Sequence, residues 1–202
     1  MKLFLLLFAL INRFNNDNCT LITGGAFSGF WYFYGNLDNI TDTTYCYSSS
    51  CIAIVNKIKP NTFNSTINYA NNIKNLYDTK NISMHDITEI FINNIVKDID
   101  INDLNINIIT STYFGKCIIS NPKTKPELIK LLIETTNIPI ITRKIDITKN
   151  IDGFFCRLNH PKCNTKISFP KTFRFIINLF NPNFTIKDLD YFYNYKKNSI
   201  VL

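Results

Sequence analysis

At 202 residues, with 46% hydrophobic and 18% charged side chains, the chain is long enough to bury one core and is too apolar for an intrinsically disordered segment. Its formal charge of +7 comes from scattered lysines and arginines, Lys196-Lys197 being the densest pair. That pattern offers no basic stripe for nucleic acid, while a mild positive bias suits an anionic lipid surface. Asn, Ile and Lys are abundant and glycines number only 6, so each glycine is informative and each Asn or Lys is not.

Met1-Lys2 precedes an apolar run from Leu3 to Ile11, the layout of a secretory signal peptide. The run is too short to span a bilayer as a helix, which needs about 20 residues. No A-x-A cleavage pattern follows, so an interfacial anchor or a hydrophobic first strand stays open. The expected organisation is therefore a signal or anchor over 1–16 and one domain over 17–202, in the secretory route, either secreted or membrane-associated. Asn-x-Ser/Thr triplets at Asn18, Asn39, Asn64, Asn81 and Asn183 support secretion only weakly in so Asn-rich a chain. The six cysteines, at 19, 46, 51, 117, 156 and 163, permit disulfides without assigning them, and buried free thiols are the default reading.

Cys19 to Thr23 predicts a strand, Gly24-Gly25 a turn, and Phe27 to Leu37 a helix. Thr43 to Tyr47 predicts a second strand that runs through Ser48-Ser49-Ser50 into a helix over Cys51 to Ile58. The Asn-rich stretch Pro60 to Asn81 reads as an insertion or lid, with a helix around Ile67 to Leu76. Ser83-Met84-His85-Asp86 looks like a helix start, and Ile87, Ile90, Phe91 and Ile95 mark its apolar face. A buried strand follows at Leu104 to Thr110, then an amphipathic helix at Lys125 to Thr136. Ile138 to Ile141 and Lys144 to Ile147 read as short β-like runs and Asp152-Gly153 as a turn. Phe173 to Leu179 and Ile186 to Tyr195 are the last helices. Alternating strands and helices imply an α/β domain with a mostly parallel central sheet and helices on its faces.

Three short segments carry chemistry. In Thr23-Gly24-Gly25-Ala26-Phe27-Ser28-Gly29, glycines between strand and helix let backbone N–H groups point outward at a helix N-terminus, where an anion or a developing oxyanion can sit. The order G-G-x-x-x-G does not fit the dinucleotide pattern, and no acidic residue ends a suitable following strand, so no nucleotide cofactor is expected. In Cys46-Tyr47-Ser48-Ser49-Ser50-Cys51, a serine lies on a sharp strand-to-helix turn, as in a nucleophile elbow, though a serine run is more often a helix cap. In Asn150-Ile151-Asp152-Gly153, the Asp-Gly pair alone is a turn.

Together, in this order, the three segments resemble the patatin-like phospholipase family, with its glycine-rich oxyanion loop, G-x-S-x-G serine and Asp-Gly dipeptide. Thr135-Thr136-Asn137-Ile138-Pro139 resembles that family's S-x-A-I-P approach to its aspartate. The resemblance spans most of Leu21 to Leu158 and implies a three-layer α/β domain acting as a lipid acyl hydrolase. Ser48 would be the nucleophile and Asp152 its base in a dyad without histidine. Gly25 and Ala26 N–H would form the oxyanion hole, with Gly24 and Gly29 permitting the turn. Its partners would be a lipid ester and a membrane surface; no cofactor is implied. The pattern departs at four positions: Ala26 and Ser28 stand where the loop usually has a third glycine and a basic residue, and Cys46 and Ser50 replace both elbow glycines. Those departures leave open an inactive patatin-like fold that binds lipid or a protein. A third reading takes the motifs as coincidental turns of a structural protein, and requires that no strand–turn–helix exist at Ser48.

His160 follows Asp152 in the order of a Ser–Asp–His triad, but eight residues are few for separate loops to converge. Cys156, His160 and Cys163 could ligate a metal but lack a fourth ligand. His85 reads as a surface or capping residue. The run Phe30-Trp31-Tyr32-Phe33-Tyr34 is apolar all round and reads as core, with one face free to line an acyl pocket.

Overall fold

A computed structural model describes residues 18–37, 43–58, 63–80, 82–139, 141, 146–156, 160–181 and 184–195. The expected signal or anchor, the triplets at Asn39, Asn81 and Asn183, the β-like residues Ile140, Lys144 and Ile145, and Lys196-Lys197 lie outside them. Six strands form one sheet: β1 Cys19–Ile22, β2 Thr43–Cys46, β3 Ile106–Ser111, β4 Cys117–Ser120, β5 Ile151–Asp152 and β6 Thr165–Ile167. Strands β6, β1, β2 and β3 are parallel neighbours in that order, and β4 closes the far edge antiparallel to β3. The described helices are α1 Ala26–Asn36, α2 Ser49–Ile58, α3 Phe63–Lys80, α4 Met84–Val96, α5 Lys125–Thr135, α6 Phe173–Ile177 and α7 Ile186–Asn194. The chain is thus α/β with a mostly parallel sheet.

Alternating strand residues feed two cores. Ile22, Cys46 and Ile108 face a large cluster built from all seven helices, while Leu21, Tyr47 and Ile109 face a small one with Cys156. Helical cover is therefore heavy on one face; the other lies against the 3-10 turn Gly153–Phe155 and the cysteine-linked loops. Helix α1 runs through the middle of the large cluster, with Trp31 and Phe33 fully buried, each such side chain contributing about 2–3 kcal/mol. The aromatic run is core, as its all-round apolar character implies.

Local signals set several ends. Ser83 and Asp86 make a reciprocal capping box at the start of α4, and Thr124 caps α5 with a proline in its first turn. His85 lies 3.7 Å from Glu89 along α4 with its side chain only 15% exposed, so it is neither a surface residue nor the cap, which is Ser83. The segment expected as an insertion or lid is, over its described residues, the long helix α3, whose buried Thr66, Ile67, Ala70 and Ile73 pack into the core. Strands β4 and β6 were not expected, and of the described residues of Ile138 to Ile141 only Pro139 makes a bridge.

The cysteines correct the free-thiol reading: Cys19–Cys163, Cys46–Cys51 and Cys117–Cys156 are disulfides. The first closes a separation of 144 residues, for which loop-entropy reasoning gives roughly 5 kcal/mol. With Cys156 and Cys163 so engaged, the metal alternative loses both thiolates. Among the described residues no helix is long and apolar enough to cross a membrane.

Candidate active site

The site is assembled at the carboxyl ends of the parallel strands, where open α/β sheets place ligands. Strand β1 ends at Ile22 and delivers Gly24 and Gly25 to the start of α1; β2 ends at Cys46 and delivers Ser48 to the start of α2. Strand β4 occupies one edge of β3 along Ile108–Ser111, and β2 the other edge as far as Ile108. Strand β5 pairs with Thr110 and Ser111, so it lies on the β2 edge, just beyond the point where β2 turns away. Asp152 thereby enters the lane that Ser48 leaves, and the two residues, 104 apart in sequence, face each other.

Ser48 has φ 61°, in the left-handed region that a non-glycine residue occupies at a cost of order 1–3 kcal/mol. Its surroundings hold it there. The Thr135 hydroxyl accepts from Ser48 N–H at 2.8 Å and donates to the Ile109 carbonyl at 2.7 Å. Ser50, in place of the second elbow glycine, is fully buried without crowding the turn, because its hydroxyl bonds the carbonyls of Tyr47 at 2.8 Å and Ile22 at 3.1 Å. The strand–turn–helix at Ser48 exists, which removes the condition on which the coincidental-turn reading rests.

Asp152 is 1% exposed. Burial drives its carboxyl up from the usual 3.8 to about 7, opposed by the Ser48 hydroxyl and by Phe154 N–H, which donates to Oδ1 at 2.8 Å. No cation is among these influences, so a proton is held here near neutrality. Tyr47 lies alongside. Burial first, and the neighbouring Asp152 charge second, push its phenol up to about 12, against Gly24 N–H and the Thr23 hydroxyl, which favour the charged form. His160 does not complete a triad: its ring stacks on Tyr47 with centroids 5.0 Å apart, and Nε2 bonds the Gly153 carbonyl at 2.9 Å. That contact steadies the Gly153-Phe154 peptide, next to Asp152.

The glycines divide by role. A Cβ on Gly24 would stand 2.6 Å from Ser48 Cβ, and one on Gly153 would stand 2.5 Å from the Ile109 carbonyl oxygen, so both positions exclude a side chain. Gly24→Ala is expected to displace Ser48 and to lower the melting temperature by several degrees through the accompanying strain, as a thermal melt beside wild type checks. Gly25 N–H donates to Ser49 Oγ at 3.3 Å instead of facing an oxyanion. Gly29 N–H donates to the Gly25 carbonyl at 2.7 Å and so sits outside the donor set, and an added Cβ there would meet nothing closer than 3.6 Å. The residues at helix starts that border the cavity are then Ala26, expected from sequence, and Ser49, which was not. These residues begin α1 and α2, where the first N–H groups have no partner within the helix and the dipoles favour negative charge.

Ala26, Ser48 and Ser49 line one wall of a cavity of about 190 Å³. Its other walls are chiefly apolar: Phe27 and Phe30 from α1, Ile52 from α2, Ala70 and Ile73 from α3, and Phe91 from α4. Lys74, at one side, is paired with Asp78 at 2.9 Å. Of the residues singled out in the sequence, Ser48, Asp152, Gly24 and Ala26 come together here, while Gly25 and Gly29 fall outside the donor set. Sequence reading missed Thr135, quoted only for its resemblance, and the role of α3 as a cavity wall. No family model, no curated protein and no solved structure matches the chain.

Proposed function

We propose that the chain is a lipid acyl hydrolase of the patatin-like type, with a Ser48–Asp152 dyad. The observation that carries this reading is a strained serine at a strand end, faced by a buried carboxyl of raised pKa, on the wall of an apolar cavity. Ionised Asp152 takes the Ser48 hydroxyl proton as Oγ attacks the ester carbonyl. The tetrahedral oxyanion is held by Ala26 and Ser49 N–H, at about 3–4 kcal/mol for each well-placed donor. On collapse Asp152 returns the proton to the leaving alcohol, and an acyl-Ser48 ester remains. Asp152 then draws a proton from water, which attacks the acyl carbonyl, and hands that proton to Ser48 Oγ as the C–Oγ bond breaks, releasing the acid and restoring the ionised carboxylate. A carboxyl near 7 suits both directions of this transfer at neutral pH.

The acyl chain would occupy the cavity, which is a little larger than the roughly 150 Å³ that holds a benzene ring. On this volume, short acyl chains are the expected substrates. The test is a series of p-nitrophenyl esters from butyrate to palmitate: turnover is expected to favour the short end, and no turnover of any ester would overturn the reading. Ala70→Phe, which fills the cavity from α3, is expected to raise KM for the longer esters about tenfold and to spare the butyrate. Three disulfides accord with an oxidising compartment, so the site of action would be the secretory route, outside the cell or at a membrane surface.

The second reading, an inactive fold that binds lipid or a protein, draws on one observation. Gly25 N–H is consumed by Ser49, which leaves the oxyanion fewer donors than the loop could supply. It predicts that a fatty acid binds in the cavity without ester turnover.

A further inference from the structure

We propose that the Cys46–Cys51 disulfide does for this elbow what glycines do in G-x-S-x-G: it holds Ser48 in its left-handed conformation and in line with Asp152. This rests on the hydrolase reading above. Cys46 is the last residue of β2 and Cys51 lies in the first turn of α2, so the bond closes a ring around Tyr47, Ser48, Ser49 and Ser50. Both cysteines are fully buried.

The elbow needs such a restraint because it has no glycine. Cys46 and Ser50 occupy the two positions where small, flexible residues relieve a strained turn, and Ser48 itself sits at φ 61°. A Cβ at each position narrows the backbone conformations open to the turn, and the left-handed one is not the preferred one for serine. A covalent link from strand end to helix start removes the extended and right-handed alternatives. Cys51 N–H, bonded to the Ser48 carbonyl at 3.1 Å, and the Ser50 hydroxyl then complete the turn.

Loop length separates this bond from the other two. It spans 5 residues, against 39 for Cys117–Cys156 and 144 for Cys19–Cys163. Stabilisation through the unfolded chain grows with loop length, so the elbow bond contributes least that way, and its effect is local. Cys46 and Cys51 are positioning residues: neither lines the cavity. Losing their bond should lower kcat and leave KM nearly unchanged.

The test compares wild type, Cys46→Ala/Cys51→Ala, and Cys46→Gly/Ser50→Gly/Cys51→Ala. The rate of fluorophosphonate labelling at Ser48, kcat and KM on a short-chain ester, and the thermal melt are measured for each. The double variant is expected to label about 100-fold more slowly, with kcat reduced alike and KM within about twofold. The glycine variant is expected to regain most of that rate. A double variant as fast as wild type overturns the proposal, and so does a folded glycine variant that stays slow. If the double variant does not fold, the glycine variant alone decides, since it must both fold and label. Wild type that folds yet never labels overturns the hydrolase reading, whatever the cysteines do.

Discussion

Ser48→Ala is expected to abolish ester turnover, by roughly 10⁶-fold as for other activated serines, while the protein stays folded. The magnitude follows from the arrangement: among the described residues, neither neighbouring serine stands ready to replace it. Ser49 Oγ accepts from Gly25 N–H, and Ser50 Oγ is committed to two carbonyls. A Ser48→Gly variant sharpens the test. It should be equally inactive but more stable than wild type by about 1 kcal/mol, because glycine occupies the left-handed region without penalty. A serine kept at a conformational cost and dispensable for folding is a serine kept for chemistry. Urea melts of wild type and Ser48→Gly, beside ester assays, check both halves.

Asp152→Asn is expected to reduce turnover roughly 10⁴-fold, since asparagine cannot take the Ser48 proton. The same substitution should stabilise the fold at neutral pH, and the sign follows from the raised carboxyl. A group at 3.8 in the unfolded chain and at about 7 when folded gives stability that is complete below about pH 4 and lost as pH rises through about 7. At about 1.4 kcal/mol per pH unit, the difference amounts to about 4 kcal/mol at mildly alkaline pH. The introduced carboxamide would keep the acceptor for Phe154 N–H and carry no charge. Wild type should therefore lose stability relative to the variant between about pH 4 and pH 7, with little further change above that. Asp86 and Asp188, whose carboxyls are lowered by hydrogen bonds from Ser83 and from Arg174 with Thr185 respectively, shift the curves the opposite way, but equally in both proteins. Turnover should fall tenfold for each pH unit below about 7, as the base is protonated.

The legible part of the fold was its first half. The two strand–turn–helix units are short in sequence and written in local terms: an apolar run, a glycine or serine turn, then an apolar helix. The meeting of Ser48 with Asp152 could not be read that way. It depends on β5 taking up the β2 edge of β3, a pairing of two residues that no local pattern announces. The three-residue β6 strand, TKI, is likewise too short to signal itself, and β4, CIIS, though as long as β1, is not followed directly by the glycine or serine turn and helix that marked β1 and β2. The disulfides failed for a related reason. Cys19 and Cys163 become neighbours only once β6 lies beside β1, so spacing along the chain says nothing of their bond. The oxyanion donors were legible only in part, because the fate of Gly25 N–H depends on where Ser49 Oγ points, a detail of packing between α1 and α2.

The reading of Ser48 as an activated nucleophile is tested most directly by treating the folded protein with a fluorophosphonate near pH 8 and mapping the adduct by mass spectrometry. The peptide holding Ser48, Ser49 and Ser50 should carry one phosphonyl group, on Ser48, absent from Ser48→Ala and strongly reduced in Asp152→Asn. A folded wild type that stays unmodified, or an adduct on Ser49 or Ser50, would contradict the dyad.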